Sequence, residues 1–219
     1  MKESLSEAFK ATIPVAMGYM PLAVTFGFIF QKAGADWFLA PVMSIVLYAG
    51  AAQFMSVPML GQGLPIWEIA LAVALVNLRH VFYGLSLHSN LPRSRLGKVY
   101  FIHALTDETY SLLTAREGGT SGRFKVMVAA INQAWWVAGS TLGALLGLSV
   151  SQDVTGLDFA LTALFVVLCL EQGRAVRSNL PFLAGLAGAA LAWLLLPGQF
   201  LVGAIGIAAV ILLTLGRRA

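Results

Sequence analysis

Long apolar segments separated by short polar loops run from one end of the chain to the other, near 11–31, 38–60, 66–88, 99–115, 125–149, 157–171, 180–196 and 199–216. A helix that crosses a bilayer needs about 20 mostly apolar residues. A soluble domain carries about 25% charged residues, and this chain has 11%. It cannot clothe a solvated surface, so a soluble globular fold is excluded. The high apolar content excludes disorder, and a lone cysteine, Cys169, excludes a disulfide scaffold. A membrane β-barrel would alternate apolar and polar residues in segments of about ten, whereas these runs are continuous. The expected fold class is therefore all-α, a polytopic integral membrane protein.

The eight segments are unequal. Segment 11–31 carries Pro14, Gly18 and Pro21; segment 38–60 holds Gly50-Ala51-Ala52-Gln53 and Pro58; segment 99–115 holds His103, Asp107 and Glu108. Lys and Arg concentrate in cytoplasmic loops. If all eight segments cross, nine basic residues fall inside and four outside. If 38–60 and 99–115 instead enter and return on one side, loop 89–98 with Arg93, Arg95 and Lys98 moves inside, giving twelve inside and one outside. The expectation is six full transmembrane helices plus two broken or half-membrane segments, with both termini cytoplasmic. Seven or eight crossings are the alternatives. Non-helical backbone at membrane depth is tolerated only against protein or a water-filled cavity, so this topology implies a cavity. Ala33-Gly34-Ala35 resembles a signal-peptidase site, but the preceding stretch of about 20 residues exceeds a signal peptide's usual 7–15 and contains two prolines. It reads as a retained first span.

Polar loops are short throughout, so residues 1–219 read as a single membrane transport domain. Thr25-Phe26-Gly27 is echoed by Thr141-Leu142-Gly143, and Trp37-Phe38-Leu39 faintly by Asp158-Phe159-Ala160-Leu161. Gly139, Gly143 and Gly147 mark one helix face at four-residue spacing, suited to close packing of a helix within the chain or from another subunit.

Charges at membrane depth cost about 2.5–3.5 kcal/mol each on insertion scales, so those present usually face a bundle interior or a water-filled path. Asn77-Leu78-Arg79-His80 precedes Tyr83-Gly84. On a helix Arg79 and Tyr83 share a face, as do Asn77 and His80. Arg79 can grip a carboxylate bidentately; the competing reading is an arginine that snorkels to the interface or pairs with Asp107 or Glu108. His103, Asp107 and Tyr110 form a second stripe, in which Asp107 or Glu108 takes an ammonium group or a proton with His103 assisting. Its competing reading is a solvated face of an interfacial helix. In Tyr48-Ala49-Gly50-Ala51-Ala52-Gln53-Phe54, small residues beside Gln53 suit a helix break, where freed backbone groups bind small solutes. A tight crossing with Gln53 bonded to a neighbour is the alternative. Asn132 and Gln133 are candidates to line a path, Trp135 and Trp136 to form an interfacial belt, and Glu171 to pair with Arg174 at the interface.

No P-loop, nucleophile elbow or HExxH is present, and three histidines with one cysteine lack metal-ligand spacing. No cofactor and no metal are expected. The basic loops set orientation rather than bind nucleic acid. A channel, or a structural subunit of another membrane complex, is the alternative to a transporter. An intramembrane enzyme ranks last, since His103 and Asp107 have no serine partner.

Pro21, Tyr48-Ala49-Gly50-Ala51-Ala52-Gln53-Phe54, Asn77-Leu78-Arg79-His80 with Tyr83-Gly84, and Thr106-Asp107-Glu108 resemble, in this order and spacing, the azaleucine-resistance family. This is the AzlC-type large subunit of branched-chain amino acid exporters. The resemblance covers nearly the whole chain and is strongest over 10–115. It implies export of valine, leucine, isoleucine and in some members methionine across a bacterial inner membrane, driven by the proton motive force. It also implies a small AzlD-type membrane subunit as partner. Laid on its motifs, the candidate substrate-binding residues are Gly50, Gln53, Asn77, Arg79 and Tyr83, and the proton- or ammonium-coupling residues are Asp107, Glu108 and His103.

Overall fold

The structure is a computed structural model that describes residues 4–77, 80, 91–115, 120–150, 166 and 179–215. The described residues form helices and no strand. In chain order the helices are α1 (Leu5–Lys32), α2 (Leu39–Val46), α3 (Gly50–Gly61), α4 (Ile66–Asn77), α5 (Arg95–His103), α6 (Asp107–Thr114), α7 (Gly122–Ser149), α8 (Leu180–Leu195) and α9 (Phe200–Leu215), with a 3-10 turn at Pro197–Gln199 before the last. Side-chain caps start several of them. The hydroxyls of Ser4, Ser94, Thr106 and Ser121 accept from the backbone N–H of Glu7, Gly97, Thr109 and Phe124, satisfying one orphan donor in each case.

The chain divides into two compact units, Met1–Gly63 with Val76–Asp153, and Leu64–Leu75 with Val154–Ala219. The first is organised around α1 and α7, each 28 residues long. A Cβ on Gly27 would strike the Ser140 carbonyl, and one on Gly143 would strike the Val24 carbonyl. Adding 116 carries each residue of one contact onto a residue of the other (27 to 143, 24 to 140), and Gly139 against Ala23 and Gly147 against Gln31 lie at that same offset, so the helices run parallel and a local two-fold exchanges them. Lys32 Nζ, donating to Val150 O at 2.6 Å, ties their C-terminal ends. The Thr25-Phe26-Gly27 and Thr141-Leu142-Gly143 echo lies at this same offset. The glycine stripe thus packs α7 on α1 within the chain, as Gly139 against Ala23 and Gly147 against Gln31 also show. The second echo lies partly outside the described residues.

This unit buries a set of polar side chains within its apolar core while large apolar side chains lie on its surface. Thr12, Ser44, Gln53, Thr109, Asn132 and Ser140 are all 0% exposed, while Leu5, Met17, Val46 and Leu96 point outward. Of the described helices, Leu5–Lys32 is long and apolar enough to cross a membrane, and Ile66–Asn77, Leu180–Leu195 and Val202–Leu215 are shorter apolar helices. In α7 the buried Asn132 and Gln133 dilute the apolar content.

In the second unit α8 and α9 form a close pair. Gly188 lies where a Cβ would meet Ala204 O at 2.6 Å and Ala208 N at 3.0 Å. Leu183, Leu186, Trp193, Leu194 and Leu195 are exposed.

Candidate functional site

Both segments expected to be broken are broken. Between α2 and α3 the chain leaves helical geometry at Tyr48 and Ala49, with Tyr48 in the left-handed region at φ 39°. A non-glycine residue there is strained by about 1–2 kcal/mol and persists only where its surroundings enforce it. Between α5 and α6 the break is Ala104-Leu105-Thr106, all buried. This separates His103 from Asp107. The continuous stripe expected through His103, Asp107 and Tyr110 is therefore interrupted, because Thr106 takes extended geometry to cap a new helix.

The ends of the two broken helices are tied together. The Ile45 carbonyl in the last turn of α2 accepts from Gln133 Nε2 at 3.1 Å and from His103 Nε2 at 2.9 Å. Tyr100 in turn donates to Gln133 Oε1 at 2.7 Å. A carbonyl orphaned by a helix end needs such partners when buried.

The start of α3 is held from the other side. Trp136 Nε1 donates to Gln53 Oε1 at 2.8 Å, Gln53 Nε2 donates to Ser44 Oγ at 3.0 Å, and Ser44 donates to Ser140 Oγ at 2.8 Å. The Trp136 ring lies on Gly50, where a Cβ would stand 2.9 Å from Cη2. Trp136 is buried rather than part of an interfacial belt, and its indole meets Tyr19 edge-on with ring centroids 5.1 Å apart.

From Tyr19 a third group of side chains leads to α6. Its hydroxyl donates to Glu108 Oε2 at 2.7 Å and lies 2.7 Å from Thr106 Oγ1. Thr106 donates to Thr109 Oγ1 at 3.2 Å, which also accepts from Asn132 Nδ2 at 2.9 Å. The Tyr48 hydroxyl is buried without a partner of bonding geometry among the described residues, yet stands within electrostatic range of Tyr19 and Glu108. Asp107, in the same first turn as Glu108, has Oδ1 4.0 Å from His80 Nε2. Both acids sit at the N-terminus of α6, where the helix dipole favours negative charge.

Of the residues expected to bind substrate, Gly50 and Gln53 are brought to one point but are occupied by Trp136 and Ser44. Asn77 ends α4: its backbone carbonyl lies 3.1 Å from His80 Nδ1, and its side-chain oxygen is buried without a partner among the described residues. Arg79 and Tyr83 lie outside the described residues, as do Glu171 and Arg174. Asp107 and Glu108 lie together on α6, and His103 caps α2 from the end of α5. The sequence reading missed Tyr19, Ser44 and Ser140. Tyr19 had one weak signal, a phenol between Gly18 and Pro21 in an apolar span. Among the described residues no three His, Cys, Asp or Glu are grouped to hold a metal.

Polar side chains turned inward, apolar ones turned outward and paired broken helices define a helical membrane protein with a polar centre. The sequence model of the AzlC protein family matches residues 14–150, and the chain belongs to that family. It is 33% identical over 203 residues to the branched-chain amino acid transport protein AzlC of Bacillus subtilis, covering 90% of this chain and 79% of that one. It is 32% identical to the inner membrane protein YgaZ of Escherichia coli, over 84% of this chain and 78% of that one. An uncharacterized membrane protein of Helicobacter pylori is 33% identical, over 81% and 79%. No solved structure matches.

Proposed function

We propose that this chain is the large subunit of a secondary transporter that exports the branched-chain amino acids valine, leucine and isoleucine, with methionine as a further, unbranched substrate, using the proton motive force. The observation that carries this is the 33% identity, along nine-tenths of the chain, to a protein named for branched-chain amino acid transport. The polar centre between two broken helices supports it, since solute sites in secondary transporters are commonly built where helices are discontinuous. In this reading the chain is one transport domain of about six spans plus the two broken segments, in a bacterial inner membrane with both termini cytoplasmic. A small AzlD-type subunit is its partner.

The substrate site lies between the α2–α3 break and the segment bearing Asn77, Arg79 and Tyr83. Arg79 or the uncapped N-terminus of α3 takes the carboxylate, and Asp107 or Glu108 takes the ammonium group or a coupling proton. Gly50 and Gln53 shape this site by seating Trp136, and His103 holds the two broken helices in register. Apolar walls suit a branched side chain.

The test is efflux of labelled valine or isoleucine from cells loaded with the corresponding dipeptides, with and without the small subunit. Saturable efflux competed by unlabelled amino acid is expected. A non-saturable flux without proton coupling would instead indicate a channel. Full activity of both Asp107→Asn and Arg79→Gln would refute the site assignment.

A further inference from the structure

Asp107 and Glu108 are neighbours in sequence with different surroundings. Asp107 lies towards His80. Glu108 has an exposed side chain whose Oε2 reaches the buried hydroxyl of Tyr19 on α1. An accessible carboxylate is thereby joined, through one buried phenol, to side chains that continue through Thr106 and Thr109 to Asn132 of α7. Tyr48, 3% exposed, brings a second hydroxyl, without a partner of bonding geometry among the described residues, into range of the same pair.

We propose that Glu108 is the proton-carrying group of the transport cycle, and that Tyr19 is the positioning residue through which its charge state is felt by α1 and α6. This rests on the exporter reading above and divides the labour between the two acids: Glu108 carries the proton and Asp107 serves the substrate ammonium.

An ionised carboxylate has no hydrogen, so Tyr19 must be the donor in that state. When Glu108 takes a proton from the aqueous side, one O–H bond forms on the carboxyl and no other covalent bond changes. The charge-assisted hydrogen bond becomes a neutral one of about half the strength. The Tyr19 hydrogen is then free to turn to Thr106 Oγ1, which stands equally near, while Thr106 donates to Thr109. Release of the proton reverses the pattern. The other titratable groups around the pair are Tyr48 at the α2–α3 break, Tyr100 on α5, Asp107 and Tyr110 on α6, and His80 beside Asp107. The α7 side chains that meet this cluster, Asn132 and Gln133, do not titrate.

The test uses membrane vesicles holding the full chain with an AzlD-type small subunit, and compares net valine flux driven by a pH gradient with gradient-free exchange of labelled for unlabelled valine. Glu108→Gln is expected to lower net flux at least about tenfold more than it lowers exchange, because it cannot release a proton. Asp107→Asn is expected to lower both together. Tyr19→Phe is expected to move the pH midpoint of net flux, since it removes the hydroxyl that donates to the carboxylate. Trp136, in contact with Tyr19, gives a readout without substrate. The part of the tryptophan emission that Trp136→Phe removes should vary with pH in the parent chain and not in Glu108→Gln. A net-to-exchange ratio unchanged by Glu108→Gln, an unmoved midpoint in Tyr19→Phe, or Trp136 emission still titrating in Glu108→Gln each overturns the proposal. Absence of amino acid-competed flux in the parent chain refutes the exporter reading instead.

Discussion

Trp136 Nε1 donates a 2.8 Å hydrogen bond to Gln53 Oε1, so the centre of α7 is fastened to the first turn of α3 immediately after the chain breaks its helix. Gln53 is fully buried and its other amide end is given to Ser44. Truncating one partner of a buried hydrogen bond leaves the other unsatisfied, at about 1–3 kcal/mol. Gln53→Leu is therefore expected to lower the thermal midpoint of the detergent-solubilised protein and to reduce valine flux, with Trp136→Phe doing the same from the opposite side. The double variant should cost less than the sum of the two, because neither partner is then left alone. Additive losses in a double-mutant cycle would show that the pair is not coupled.

The α1–α7 crossing makes a sharper stability prediction. Gly143 and Gly27 each lie against the partner helix's backbone with no room for a methyl group. Gly143→Ala forces the helices apart and should destabilise by about 1–3 kcal/mol, the range for overpacking. Gly185 on α8 has nothing within 4 Å of its would-be Cβ, so Gly185→Ala should be neutral or stabilise by about 0.5–1 kcal/mol through helix propensity. Equal thermal midpoints for the two variants would contradict the close crossing.

His103 supports a third prediction. It shares the Ile45 carbonyl with Gln133. Removing one of two donors to a single oxygen should cost about 0.5–1.5 kcal/mol, the net value of one hydrogen bond. Removing both strands the carbonyl at a helix end and adds its desolvation penalty. His103→Leu with Gln133→Leu should thus destabilise more than the two single variants summed, read as thermal midpoints at a pH where histidine is neutral.

These relationships differ in how far the sequence announced them. Apolar segment length and scarce charge were enough for the fold class. Gly50-Ala51-Ala52-Gln53, and the acids in 99–115, singled out the two segments that break, because small residues and polar groups disfavour continuous lipid-facing helix, but not the positions: the first break falls at Tyr48 and Ala49, just before the small residues, and the second at Ala104-Leu105-Thr106, inside the stripe expected to be continuous. The Gly139, Gly143 and Gly147 spacing announced a close packing face but not its partner, since a small-residue stripe fits any helix. What the sequence did not carry was pairing over long separations. Nothing local to Tyr19 points to Glu108, 89 positions away, and nothing local to Gln53 says that both ends of its amide are used. Trp136 was ambiguous for a related reason: an aromatic residue on an apolar helix suits an interface and a core equally, and only the bare backbone of Gly50 decides between them.

Orientation rests on the basic loop at 89–98, and a labelling experiment decides it. Arg93, Arg95 and Lys98 favour the cytoplasmic side, and a chain in which both 38–60 and 99–115 return without crossing puts them there while leaving the acidic 150–158 stretch on the opposite side. The sequence has one cysteine, Cys169, so a Cys169→Ser background is clean. In that background Arg93→Cys should resist a membrane-impermeant thiol reagent added to intact cells and react once the membrane is opened. A cysteine in place of Asp153, in the acidic stretch on the opposite side, should react in intact cells. Labelling of position 93 from outside would overturn the six-span reading, and segment 38–60 would then be a full span with an unwound centre rather than a half-span.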